Sequence, residues 1–286
     1  MLVRILETGV PLVAFLMMVA VGLDVTRDDL RRVAGRARLV AGATVAQAIV
    51  LPLAAWLLAP IAGSGKLAGY LLLVAACPGG GMSNVYVYLA RANTALSVVL
   101  TAVSCLGAIV TMPIVFAAYE QTMGSPTDFT LPLPTLFVQL LVMAVIPVSA
   151  GAWIRDRYPE LERAHGRRFR ALCAIGVAGI VAVGLVQSAS TLDAALLGGA
   201  AATGLVAAGM LAGWLVGRAA AAAAGDRFTL LVEFGVRNLA IAMVIEVTLL
   251  GHPDFVAFGA LALLGQALLM AAAIGVRRAP ADAGRT

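Results

Sequence analysis

The chain has little charge, few cysteines and no long polar stretch. Only 12% of its 286 residues are charged, against 62% hydrophobic, and the mean hydropathy is +0.98. These values lie far outside the range of soluble globular domains. That excludes water as the main solvent. The alternation of membrane strands is also missing: apolar runs of about 20 residues stand in its place, and only helices or closed barrels satisfy their backbone hydrogen bonds in hydrocarbon. The fold class expected is an all-α polytopic membrane protein. The three cysteines, Cys77, Cys105 and Cys173, fall inside apolar runs without metal-ligand spacing. They are expected to be small packing residues, not disulfide partners. No extramembrane segment exceeds roughly 20 residues, so 1–286 is expected to be a single transmembrane domain without a soluble catalytic module. No cleavable signal is expected either, because the first apolar segment runs into a basic stretch without an A-x-A site.

Lysine is nearly absent, Lys66 being the only one among 20 basic residues. The net charge of +5 and a pI near 9.6 could suggest nucleic acid, but the arginines sit in short connections. Topology explains them better, and no nucleic-acid partner is expected.

Apolar runs divided at polar breaks give nine candidate spans, at about 5–24, 39–61, 67–90, 94–118, 132–154, 170–187, 191–217, 228–250 and 254–276. Alternate connections then collect the arginines. One side receives Arg27, Arg31, Arg32, Arg36 and Arg38, then Arg91, the six from Arg155 to Arg170, then Arg218 and Arg227, and finally Arg277, Arg278 and Arg285. The other side receives only Arg4 and Lys66. The bias places the N-terminus outside and the C-terminus in the cytoplasm, in a cell inner membrane.

Two spans are interrupted. The third contains Cys-Pro-Gly-Gly-Gly-Met-Ser-Asn, from Cys77 to Asn84, where proline removes a helix hydrogen bond and three glycines lower helix propensity. The backbone is expected to unwind there, which is tolerated at membrane depth only against protein or a watery cavity; a proline kink eased by glycine is the plainer alternative. The eighth contains Glu-Phe-Gly-Val-Arg-Asn, from Glu233 to Asn238. Each charge there costs about 2.5–3.5 kcal/mol on insertion scales and points to a functional cavity, with a structural Glu233–Arg237 ion pair as the alternative. Glu246, later in that span, is expected near the outer surface. Gly81-Met82-Ser83-Asn84 aligns with Gly235-Val236-Arg237-Asn238, and the two spans run in opposite directions. Paired interrupted helices in inverted repeats indicate a transporter's midplane site.

At these residues the chain resembles the bile acid:sodium symporter family, in its bacterial branch. The resemblance rests on Met17–Val25, Thr44–Trp56, Cys77–Ser104, Val232–Ala242 and the small-residue final helix. It implies two crossed discontinuous helices, a panel domain (about 5–24 and 132–187) and a core domain (about 39–118 and 191–276). It further implies a first sodium site at Ser83, Asn84, Ser97, Thr101 and Glu233. The oxygen chemistry agrees, since a small hard cation takes neutral and anionic oxygens, and Ser97 and Thr101 share a helix face at i, i+4; packing, or bonding back to helix carbonyls, is the alternative for these two. A second sodium site would use Gln47, the carbonyls near Phe234 and Val236, the shared Glu233, and a second glutamine. Arg237 stands where that glutamine is expected, and arginine offers donors only. One sodium site is therefore expected in preference to two.

The function this implies is secondary active transport, with sodium-coupled symport of a small or amphipathic organic anion by alternating access, and no enzymatic activity. Asn84, Asn238, Arg237 and Gln266 are the expected substrate contacts, with backbone capping as the alternative for the two asparagines. Arg237 is expected either to fold back toward Gln47 and Glu233, replacing the second sodium, or to point forward to a substrate carboxylate. The lipid bilayer is the expected surrounding, and no obligatory protein partner is evident. A sodium-independent organic anion transporter with Arg237 in place of a sodium ion is the nearest alternative. An arsenite exporter using Cys77, and a membrane-embedded sensor or enzyme, complete the set. Catalysis would need converging titratable groups, whereas His165 falls in the basic inner connection and His252 in an outer turn.

Overall fold

The computed structural model describes residues 2–62, 65–123, 133–187, 192–252 and 254–278. Arg285 and the rest of the C-terminal tail lie outside the described residues, as do the expected span starts at 132 and 191. The described chain is helical almost throughout. The helices are α1 (Leu2–Asp24), α2 (Arg27–Ala34), α3 (Ala37–Leu58), α4 (Gly65–Ala76), α5 (Met82–Leu89), α6 (Thr94–Met123) and α7 (Leu133–Leu140). They continue as α8 (Ile146–Arg157), α9 (Pro159–Gln187), α10 (Leu192–Ala219), α11 (Ala224–Gly235), α12 (Leu239–Val244) and α13 (Phe255–Arg278). Single π-helical turns, Leu141–Val145 and Ile245–Leu249, join α7 to α8 and extend α12.

Among the described residues, five stretches are long and apolar enough to cross a membrane: Ala37–Leu58, Thr94–Ala118, Pro134–Arg157, Leu196–Ala219 and Phe255–Arg278. The chain is an all-α polytopic membrane protein. Large apolar side chains such as Leu57, Leu172, Leu268 and Val276 face outward, while Gln47, Ser97, Thr101, Glu233 and Arg237 are buried. A soluble protein sorts these residue types the other way, so lipid is the solvent that this surface fits. The third and eighth expected spans are each built from two short helices, α4 with α5 and α11 with α12.

The basic connection before the sixth span is not a loop. Helix α9 begins at Pro159, eleven residues before the expected start, and only Tyr158 separates it from α8. Proline suits a first helical position, Glu160 and Glu162 favour the positive end of the helix, and Glu160 pairs with Arg163 at 2.6 Å. Glu162 draws in Arg155 and Arg170, and Arg170 also reaches Asp24 at 2.7 Å. Those arginines therefore tie α1, α8 and α9 together at one end. The basic stretch after α1 likewise holds the short helix α2, whose Thr26 accepts the Asp29 N–H as an N-cap.

Glycine sets the closest approaches. Where α1 crosses α8, a Cβ added at Gly22 would lie 2.1 Å from the Val148 carbonyl oxygen, and one at Gly151 would lie 2.2 Å from that of Val19. Helix α10 presents Gly209 and Gly213, four residues apart, to the Phe234 and Leu230 carbonyls of α11. Small residues at this spacing let backbones touch where no hydrophobic driving force between helices exists. Because the obstruction is backbone, no side-chain rotation relieves it. Gly151→Leu should cost about 1–3 kcal/mol or more and lower the thermal stability of the detergent-purified protein. Gly42→Ala, which meets nothing within 4 Å, should leave it unchanged or slightly raised.

Candidate functional site

The two breaks meet. Between α4 and α5 the chain runs unwound through Pro78, Gly79 and Gly80; between α11 and α12 it runs through Val236, Arg237 and Asn238. Gly80 N–H donates to the Val236 carbonyl at 3.2 Å and Asn238 N–H to the Pro78 carbonyl at 2.9 Å, an antiparallel bridge centred on Gly79 and Arg237. Each interruption thus satisfies backbone groups that the other exposes, which buried backbone requires. Glycine is needed for the approach: a Cβ at Gly80 would lie 2.8 Å from the Arg237 carbonyl oxygen, and one at Gly79 would lie 3.0 Å from Glu233 Oε2.

On one side of the crossing, five oxygen-bearing side chains gather. Ser83 and Asn84 come from the first turn of α5, Ser97 and Thr101 from one face of α6, and Glu233 from the last turn of α11. Ser97 Oγ donates to Glu233 Oε1 at 2.5 Å and lies 2.8 Å from Asn84 Oδ1. Thr101 Oγ1 lies 3.1 Å from Glu233 Oε2 and 3.2 Å from Ser83 Oγ. All five are buried. Burying a carboxylate costs several kcal/mol, and hydrogen bonds to a charged group return about 1.5–3 kcal/mol each. The two hydroxyls are therefore of the right order to hold Glu233 there. The Asn84 amide nitrogen is buried without a hydrogen-bond partner.

On the other side lies Arg237. Its guanidinium donates to the Gln47 amide oxygen at 2.9 Å and to the Cys77 carbonyl, while Nε has no partner. No ion pair joins it to Glu233 among the described residues, and Gly79 stands between the two. The ion-pair alternative is therefore set aside. The guanidinium is held by neutral oxygens alone. Beside it is a cavity of about 10 Å³, bordered among others by Leu51, Phe234, Leu239 and Gln266, with room for about one water. The Val236 carbonyl, expected as a cation ligand, accepts the Gly80 N–H. Asn238 caps α12 by accepting the Ile241 N–H at 3.1 Å, and its amide donates to Met18 Sδ of α1 at 3.2 Å.

All eleven residues singled out in the sequence are buried at or beside the crossing. Two further ones join them. Ser104 accepts the Gly79 N–H at 3.0 Å and donates to the Thr101 carbonyl at 2.9 Å, bracing the first break; its place one turn after Thr101 was the available signal. Thr44, one turn before Gln47, buries a hydroxyl without a partner. Glu246 departs from expectation: it is wholly buried, 2.9 Å from His252.

The model of the "Sodium Bile acid symporter family" matches residues 11–195. The chain is 27% identical over 238 residues to the "Probable sodium/metabolite cotransporter BASS1, chloroplastic" of Arabidopsis thaliana, covering 82% of this chain and 58% of the relative. It is 32% identical over 171 residues to the "Uncharacterized sodium-dependent transporter YocS" of Bacillus subtilis, 59% and 50% of the two chains. The "Hepatic sodium/bile acid cotransporter" of Homo sapiens is 26% identical over 180 residues, 61% and 51%. The chain spans between half and three fifths of the length of these relatives.

Proposed function

Because the chain belongs to the sodium bile acid symporter family, we propose that it is a secondary active transporter that couples sodium to the passage of a small or amphipathic organic anion by alternating access. The observation that carries this reading is the cluster of Ser83, Asn84, Ser97, Thr101 and Glu233 at the crossing of two interrupted helices. Four neutral oxygens and one carboxylate form the donor set of a small hard cation. Sodium is the cation that the names of these relatives invoke.

Arg237 then takes the place of a second sodium. Gln47 Oε1 and the Cys77 carbonyl, which hold the guanidinium, are oxygens of the kind that would otherwise ligate a cation. A fixed positive charge there keeps the electrostatics of the crossing while removing one transported ion. Gln266 beside the Arg237 cavity, with Asn84 and Asn238 at the crossing, are the proposed polar contacts for the substrate.

Motion is proposed between a panel of α1, α7, α8 and α9 and a core of the remaining spans, nine passes in all with the N-terminus outside. In support, α1 packs on α8 and α9, while α10 packs on α11, α13 and α3. Helix α1 also touches the crossing itself, through Met18 at Asn238 and Val21 at Gly81. Under this arrangement the arginines of the α8–α9 corner lie outside the solute path. Arg163→Gln or Arg167→Gln should therefore change expression or membrane orientation, with apparent solute affinity moved less than about twofold. The proposal as a whole is tested by reconstituting the purified protein in liposomes and measuring uptake of a panel of carboxylates with and without a sodium gradient.

A further inference from the structure

Glu246 is a second carboxylate sealed inside the fold, and the cluster around Glu233 makes no use of it. It sits on the π-helical turn Ile245–Leu249, fully buried. Oε2 lies 2.9 Å from His252 Nδ1, whereas Oε1 is buried with no hydrogen-bond partner. Tyr70 of α4, also buried, leaves its hydroxyl without a partner at bonding distance. Its ring stands 6.2 Å from that of His252 and packs on Phe255 and Phe258 at 4.9 and 5.4 Å. Close by, Lys66 and Asp254 form a half-exposed ion pair at 2.7 Å.

A carboxylate in such an apolar pocket, with one oxygen bare of donors, is strongly disfavoured as a lone anion. One proton shared with the imidazole neutralises the pair, on either the carboxyl or the ring nitrogen. A hard cation fits less well: it takes six or more oxygens, whereas among the described residues the side-chain oxygens near the pair are those of Glu246, Tyr70 and Asp254, and Asp254 is already paired with Lys66. Lys66 and Tyr70 face the site from α4, His252 and Asp254 from the turn before α13. Of the other helices that touch the π-turn, α7 has no titratable side chain, and the only described one of α1, Asp24, is at its opposite end. A π-turn inside a helix often accompanies function, and this one ends the interrupted span that carries Glu233 and Arg237.

We propose that Glu246 and His252 together hold one exchangeable proton in a site separate from the Glu233 cluster, and that its exchange with water accompanies opening of the outer end of the second interrupted span. The proton enters from bulk water onto the Glu246–His252 pair and returns to it, and no other group changes. The coupling rests on the transport reading, whereas the proton site does not.

Two measurements separate these. Acid-minus-alkaline infrared difference spectra of the purified protein read the site directly. E246Q should remove the carboxyl band and move the titration of the imidazole bands to a different pH. H252Q should likewise move that of the carboxyl band, since the two groups share one proton, and E233Q should leave both as in the wild type. Labelled histidine identifies the ring bands, as His165 is the only other histidine. Unchanged spectra in E246Q, or His252 ring bands that titrate at the same pH in E246Q as in the wild type, overturn the proposal. In liposomes at fixed sodium, wild-type uptake should vary severalfold with pH and E246Q should give a flat profile. Coincident profiles overturn the coupling. Absence of uptake from both proteins, with the infrared result intact, counts against the transport reading and leaves the proton site supported.

Discussion

Glu233→Gln should raise the sodium concentration needed for half-maximal uptake by roughly tenfold to hundredfold, corresponding to about 1.5–3 kcal/mol for interactions with a charged group. Glu233 is the only anionic member of the cluster, and it sits where Ser97 and Thr101 both bond it. Replacing one carboxylate oxygen by an amide nitrogen keeps the volume, removes the charge and turns an acceptor into a donor. A cation loses its charged ligand, while the protein is relieved of a buried anion. Thermal stability without sodium should accordingly be unchanged or increased, and the stabilisation that sodium confers on the wild type should be lost. Unaltered sodium activation in this variant would remove the cluster from consideration as the coupling site.

Arg237→Gln should have the opposite character, steepening sodium dependence or introducing it where the wild type has none. The guanidinium lies against Gln47 and the Cys77 carbonyl, which it alone bonds among the described side chains. A glutamine at 237 would leave those two oxygens free and add its own amide oxygen, restoring a neutral-oxygen set for a second cation. The Hill coefficient for sodium should then rise from near one toward two, its ceiling being the number of sites. If the variant instead loses organic anion affinity with no change in sodium response, Arg237 serves the substrate carboxylate. Sodium titrations of uptake and solute titrations at saturating sodium, on the same preparation, distinguish these outcomes.

The sequence carried the interruptions well, because Pro78 followed by three glycines disfavours a continuous helix there, and a charge at mid-span has few tolerable surroundings. Ser97 and Thr101 were readable as one face from their spacing. What could not be read was which groups answer one another. The bridge between Gly79 and Arg237 depends on two breaks 158 residues apart meeting in register, and nothing local encodes that. Arg237 can reach in several directions from one Cα, so its turn toward Gln47 is a property of the packed site. Glu246 read as superficial because it lies near the end of an apolar run; in the fold it is wholly buried against His252, whose ring stands beside that of Tyr70 in the cluster with Phe255 and Phe258. The helical start of α9 was hidden by the density of arginine, which topology explained without any structure, although Pro159 and the two glutamates after it were local signals for a helix.

The most direct measurement of the central claim is the sodium activation curve of organic anion uptake by the unmodified protein in liposomes, recorded with the membrane potential clamped. On the proposed reading, Glu233 and its four neutral neighbours supply one cation site, and Arg237 fills the place of the other. The account predicts a saturable, sodium-dependent curve with a Hill coefficient near one, abolished in Glu233→Gln at the same sodium concentrations. A steep curve with a coefficient near two in the unmodified protein would contradict it, because two sodium ions would then bind with Arg237 in place.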